Sequence, residues 1–194
     1  MKRRQSFFSR ESSLFDRFFT CLRFRKVIKL IPAGSTVLDM GCGLTGNFLR
    51  SVENRILKGV GIDIEVVQPA DSAKIKLVKY DLNLGLPFSG DEFDVVISMA
   101  NLEHLENPGK IMLEINRVLK PGGFLFLTTP TPWAKPVLEF MAFKLKIISP
   151  TEISDHKNYF DKKTIFDLCR RAGFSSFRHS YFEFFMNNFL YARK

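Results

Sequence analysis

Cysteine is scarce in this chain. Cys21, Cys42 and Cys169 are the only three, an odd number with no C-x-x-C pair. That spacing argues against a disulfide framework and suits inert thiols in a reducing cytoplasm. Histidine is equally sparse, and no Cys/His group has metal-ligand spacing, so no metal is expected. Long apolar runs are missing, so no transmembrane helix is expected. The opening, MKRRQSFFSRESS, is basic but lacks the apolar stretch of a signal peptide, so none is expected. Repeats and low-complexity tracts are absent. What remains is a chain of 194 residues, 45% of them apolar, enough to bury the core of one domain spanning 1–194.

Charge is present in excess of one sign, and its placement is uneven. The net charge is +9. Residues 1–30 carry nine Lys/Arg against Glu11 and Asp16, residues 31–132 carry nine against twelve acids, and residues 133–194 carry eleven against six. The middle is mildly acidic and both flanks are basic. Basic flanks attract anionic lipid, nucleic acid or a phosphorylated substrate without choosing among them.

Short apolar runs alternate with helical patterns. STVLDM (35–40), GVGIDI (59–64), AKIKLVKYD (73–81), FDVVISM (93–99) and FLFLTTP (124–130) read as strands. Residues 46–57, 108–120 and 162–174 read as helices, the second stopping at the Pro-Gly-Gly of 121–123. The link EVVQPADS is too short for a full helix. The end of the chain reads as two strands with a tight turn near Asn187–Asn188. The expected architecture is α/β: a doubly wound, Rossmann-like, mostly parallel sheet of seven strands, helices on both faces, closed by an antiparallel C-terminal hairpin.

The first strand runs into VLDMGCGLTGNFL, where Gly41, Gly43 and Gly46 spell G-x-G-x-x-G. In such sheets the ligand sits beyond the carboxyl ends of the strands. A nicotinamide dinucleotide would dock its pyrophosphate on the following helix. Asp39, two residues ahead of Gly41, disfavours that phosphate. S-adenosylmethionine has no phosphate and carries an ammonium and a sulfonium, both favoured by a carboxylate. Asp63 after strand two can accept both ribose hydroxyls, and Asp81 after strand three an adenine amino group. An NAD-dependent oxidoreductase and a catalytically silent binding module at a membrane surface stay open.

The segments VLDMGCG, GIDI, YDLNLGLPF, FDVVISMANLEHLENP and RVLKPGGFLFLTTP come in the order and spacing of class I S-adenosylmethionine-dependent methyltransferases. They most resemble the branch called methyltransferase type 11. The resemblance covers about residues 35–130, and LEH…P and LKPGG are similar to quinone-biosynthesis O-methyltransferases. It implies a cofactor site in which Asp39 lies near the methionine end and Gly41, Cys42, Gly43 and Gly46 form the turn. Asp63 and Ile64 would take the ribose, Asp81 and Leu82 frame the adenine, and Met99 and Ala100 lie near the sulfonium. This turn is one residue longer than the family's usual Asp-x-Gly-x-Gly-x-Gly, and the link after strand two is shorter than usual.

Methyl transfer to a hydroxyl needs a proton acceptor. His104, beside Glu103 after strand four, is the expected general base. His156 is a candidate for substrate binding. Acceptor contacts are expected from two segments. One is the Phe- and Arg-rich helical segment 1–30. The other is an insertion, 131–160, in which Val137, Leu138, Phe140, Met141 and Leu145 form an apolar helical face beside Lys144 and Lys146. The expected acceptor is a small or lipid-linked metabolite, methylated on oxygen. The expected setting is cytoplasmic, with peripheral contact to anionic membrane possible; nucleic acid is not an expected partner.

Overall fold

The computed structural model describes residues 14–67, 72–145 and 147–194. Phe7, Phe8 and Arg10 of the basic segment, and Lys146 of the insertion, lie outside the described residues. Helix α1 (Leu14–Ile28) leads into β1 (Thr36–Met40), α2 (Asn47–Val52), β2 (Lys58–Asp63) and β3 (Ile75–Lys79). Then come β4 (Phe93–Met99), α3 (Pro108–Val118), β5 (Leu119–Pro130), α4 (Ala134–Glu139) and α5 (Pro150–Ser154). Helix α6 (Lys162–Arg171) and the hairpin β6 (Ser176–Phe182) and β7 (Asn187–Arg193) complete the chain. Among the described residues the seven strands form one sheet in the order β3-β2-β1-β4-β5-β7-β6. All neighbours are parallel except β7, which runs antiparallel to β5 and β6. The strand order reverses between β1 and β4, and it is beyond this point that such sheets bind ligands.

Period-two alternation divides the core between the two faces. Leu38 and Met40 of β1 pack with Ile111, Ile115 and Ile165 from α3 and α6. Val37, on the opposite face, packs with Val27 of α1 and with Phe48 and Leu49 of α2. Asp39 shares that second face, so a carboxylate is carried into the interior by the same alternation that builds the core.

Three boundaries differ from expectation, each for a local reason. Helix α2 ends at Val52 rather than 57. Beyond it Arg55 turns back to donate to the Ile28 and Ile31 carbonyls, pinning the chain to the end of α1. The Pro-Gly-Gly stretch does not precede β5 but bulges within it. Phe93 pairs with Leu119 and Val95 with Phe124, so the residues between are looped out, with Gly122 at φ 77°. The closing turn is not at Asn187–Asn188. Glu183, Phe184 and Phe185 form it in left-handed backbone, φ 51°, 55° and 66°. The two asparagines are buried in β7 instead. Asn188 donates to the Thr129 and Phe160 carbonyls and bonds His179, while Asn187 donates to Glu183. Residue types that favour turns are here recruited to fasten the hairpin to its neighbours.

Candidate active site

A cavity of about 750 Å3 opens beyond the carboxyl ends of β1, β2 and β4. One end is built on the glycine turn. The Gly41 and Cys42 amides both donate to the Ile62 carbonyl, at 2.8 and 3.2 Å, which ties the turn to β2. Gly41 has φ 77°, and a Cβ there would lie 2.8 Å from the Asn101 side chain, so only glycine fits. Gly43 donates from its amide to Asp63 Oδ2 and Glu65 to Asp63 Oδ1, both at 3.0 Å. These bonds hold the Asp63 carboxylate at the cavity wall. Asp39 is fully enclosed, and burial, then the charge of Asp63, pushes its carboxyl up to about 7. Burial and the same two acids push the Cys42 thiol far up, so it is no nucleophile at neutral pH.

Asp39, Gly41, Cys42, Gly43, Asp63, Ile64, Met99 and Ala100 all line this cavity. Gly46, Asp81 and Leu82 are not among its lining residues. Gly46 is the left-handed cap of α2, packed where a side chain would strike Leu77. Asp81 caps the short turn Leu82–Leu84, accepting from the Asn83 amide at 2.9 Å and its side chain at 3.0 Å. Leu82 is buried in the core.

The other end is assembled from distant segments. Glu103 and His104 stand on the single turn Leu102–His104 after β4. The His104 Nδ1 lies 3.2 Å from Asp155 Oδ2. His156 approaches with its ring centre 4.8 Å from that of His104, and its Nδ1 lies 3.1 Å from the Tyr159 hydroxyl. Burial, then His104, lowers His156 to about 4, so its ring is neutral. Glu103 is 1% exposed; burial raises it to about 7, and the Thr129 hydroxyl, donating at 3.1 Å, and the charge of Arg23 hold it back from rising further. All three groups line the cavity.

Sequence reasoning reached Arg23 only as one member of the Phe- and Arg-rich segment 1–30, and it missed other wall residues. Arg23 comes from α1 and pairs with Glu183 of the hairpin turn at 3.5 Å. Asn101 has a buried Nδ2 without a hydrogen-bond partner among the described residues, at the cavity wall. Beside it Ala100 sits at φ 48°, and its amide donates a hydrogen bond to the Thr128 carbonyl at 2.9 Å.

Switch-point position, glycine turn and paired acids define a Rossmann-like cofactor-binding domain. A family model described as "Methyltransferase domain" matches residues 14–177. The chain is 30% identical over 169 residues to a ubiquinone biosynthesis O-methyltransferase of Thiobacillus denitrificans, covering 78% of this chain and 70% of that one. It is 38% identical over 104 residues to a bifunctional methionine biosynthesis protein MetXA/MetW of Rhodopirellula baltica, covering 47% of this chain but only 16% of that protein's length. A solved SAM-dependent methyltransferase from Archaeoglobus fulgidus superposes with TM-score 0.73 at 18% identity, covering 92% of this chain and 94% of that one, a likeness of fold. The chain belongs to the class I S-adenosylmethionine-dependent methyltransferases.

The cavity fits that family's cofactor. Asp39 and Asp63 suit a cation-bearing ligand, the unpartnered Asn101 amide needs an acceptor, and a side chain at Gly41 would fill the cradle.

Proposed function

We propose that the chain methylates an oxygen of a small or lipid-linked acceptor. The observation that carries this reading is the polarity of one cavity, with the acid pair Asp39 and Asp63 beside the glycine turn at one end and Glu103, His104 and His156 at the other. S-adenosylmethionine supplies the activated methyl when bound. Asp63, oriented by the Gly43 and Glu65 amides, is placed to accept from ribose hydroxyls. Asp39, ionised, faces positive charge. Met99 and Ala100, at the end of β4, separate the two ends. The Glu103–His104–His156 cluster stands where a hydroxyl must give up its proton. Segment 131–160 covers the acceptor end: Ala134, Leu138, Met141, Ile148 and Ile153 line it with apolar surface, which excludes water and positions the acceptor.

A lipid-linked acceptor is supported by the surface near this cover. Trp133 is 81% exposed, and Phe184 and Phe185 are 88% and 69% exposed. The Thr131 amide donates to the Met186 carbonyl and its hydroxyl to that of Phe185, which brings the hairpin turn beside the cover. Among the described residues no helix is long and apolar enough to cross a membrane, so such contact would be peripheral. The Thiobacillus relative, an O-methyltransferase of ubiquinone biosynthesis, points to the same acceptor class.

The test is transfer of labelled methyl to phenolic acceptors presented in buffer and in vesicles. Turnover on an oxygen, faster for acceptors with an apolar tail, is the expected result. Methylation confined to nitrogen or carbon acceptors would overturn the reading.

A further inference from the structure

The acceptor end holds more nitrogen and oxygen donors, closer together, than a lone general base requires. Glu103, His104 and His156 each offer one ligand atom, and these atoms lie within 4.8 Å of one another. The convergence is built rather than incidental. The Lys157 and Asn158 amides both donate to the Glu103 carbonyl, at 2.9 and 3.1 Å, and the Asn158 side chain donates to the Leu105 carbonyl at 2.9 Å. These bonds stitch the segment that carries His156 onto the turn that carries the other two. Sequence spacing hides the group, because His156 joins it from far along the chain.

We infer that Glu103, His104 and His156 form a binding site for one divalent transition-metal ion at the acceptor end of the cavity. Two imidazoles and a carboxylate are the donor set that zinc and its first-row neighbours take, with positions left over for exchangeable oxygen ligands. The ring geometry agrees. An ion bound at the usual metal–nitrogen distance lies roughly 3.2 Å from each ring centre. Centres 4.8 Å apart then subtend about 100° at the ion, between octahedral and tetrahedral angles. Ligand atoms around such an ion lie about 3.4 Å apart, so the group draws in by roughly 1.4 Å at its widest.

Each ring also has an outer partner of the kind metal-binding histidines use. The Asp155 carboxylate lies at His104 Nδ1 and the Tyr159 hydroxyl at His156 Nδ1, which leaves each Nε2 as the nitrogen to bind the ion. Thr129 fixes one oxygen of Glu103. Arg23 is the nearby opposing charge, and it is paired with Glu183. Resting on the O-methylation reading, the remaining positions on the ion would take the acceptor's hydroxyl oxygen and raise its acidity, the proton leaving to solvent; with the ion bound, His104 serves as a ligand in place of the general base.

The test is direct binding, which needs neither cofactor nor acceptor. The full chain, stripped with a chelator, is titrated with Zn2+ by calorimetry and with Co2+ by visible absorption. One equivalent should bind, and Co2+ should show the d–d bands of a nitrogen- and oxygen-ligated ion. His156→Ala and His104→Ala should each weaken binding by about a hundredfold or more, and Asp155→Asn by roughly 10–100-fold, as for an outer partner. His179→Ala, on β6, should leave it unchanged. Circular dichroism and cofactor binding report whether each variant is folded, and Glu103→Gln preserves shape if His104→Ala does not fold. Failure to bind either ion stoichiometrically, or binding that His156→Ala leaves intact, would overturn the site. Metal binding without methyl transfer to any oxygen would retain the site and reject the O-methylation reading instead.

Discussion

The two ends of the cavity are built by opposite means. The glycine-turn end is local: Asp39, Gly41, Gly43 and Asp63 sit at the tips of neighbouring strands, and backbone amides fix the Asp63 carboxylate. The acceptor end is a meeting of segments from α1, the turn after β4, the cover and the hairpin, joined by side-chain and long-range bonds. A site made from strand tips is as rigid as the sheet. A site made from a cover can change its acceptor without disturbing the cofactor. Substitutions at the two ends should therefore have separable effects.

The largest effect is expected at the acceptor end. His104→Ala should lower methyl transfer by about 10²–10⁴-fold, the range for loss of acid–base function, while cofactor affinity stays within a few-fold. Steady-state rates and calorimetry on the same preparation check this. Equal losses in both would dissolve the distinction between the ends.

Next comes Asp63→Ala, expected to weaken cofactor binding by roughly 10–100-fold, from the 1.5–3 kcal/mol of a hydrogen bond to a charged group. Its loss should fall on affinity, the reverse of His104. Unchanged affinity would remove Asp63 from the cofactor end.

Asp39 sharpens the comparison through pH. Its folded pKa is raised to about 7 from 3.8. Between those values the folded chain holds a proton that the unfolded chain has released, so stability falls as pH rises through this window and the full cost stands above pH 7. The cost is of order 4 kcal/mol, at about 1.4 kcal/mol per unit. Asp39→Asn should thus melt higher than the parent at pH 8 without cofactor. A bound cation favours the ionised carboxylate, so the parent's cofactor affinity should tighten from pH 6 to 8, by at most about tenfold per unit, and the Asn variant's should not. Parallel pH profiles for the two would contradict this.

The smallest effect is expected on the cover's outer side. Phe140 and Leu145 are 55% and 53% exposed. Changing both to Ser should shift stability by no more than about 0.5 kcal/mol per site, measured by urea denaturation. Met141 and Ala142 turn inward, and Met141 lines the cavity. The expected continuous apolar face is thus split between solvent and cavity, and residues Phe140–Lys144 wind as a π-helical turn rather than an α-helix.

What was legible in the sequence follows the same division. Strand-tip features announce themselves through local patterns: a β-branched run, closely spaced glycines and a carboxylate at a position the apolar alternation gives to the core. The sheet and the wall from Asp39 to Ala100 were readable for that reason. Asp81 looked like a third member of this set, but it stands outside the lining of the cavity and its Oδ1 is taken up by Asn83. Arg23 and Asp155 were legible only as members of the segments 1–30 and 131–160, and Glu183 gave no local signal, since each reaches the cavity only through tertiary packing. Asn187 and Asn188 misled because a turn-forming residue type was used for buried hydrogen bonds.

Calorimetric titration of S-adenosylmethionine into the parent and into the His104→Ala/His156→Ala double variant, with NAD as the competing ligand, tests the separation of the two ends most directly. Expected is one-to-one binding of S-adenosylmethionine to both proteins with affinities within a few-fold of each other, and no measurable binding of NAD to either. Loss of S-adenosylmethionine binding in a folded double variant, or binding of NAD at the glycine turn, would contradict it.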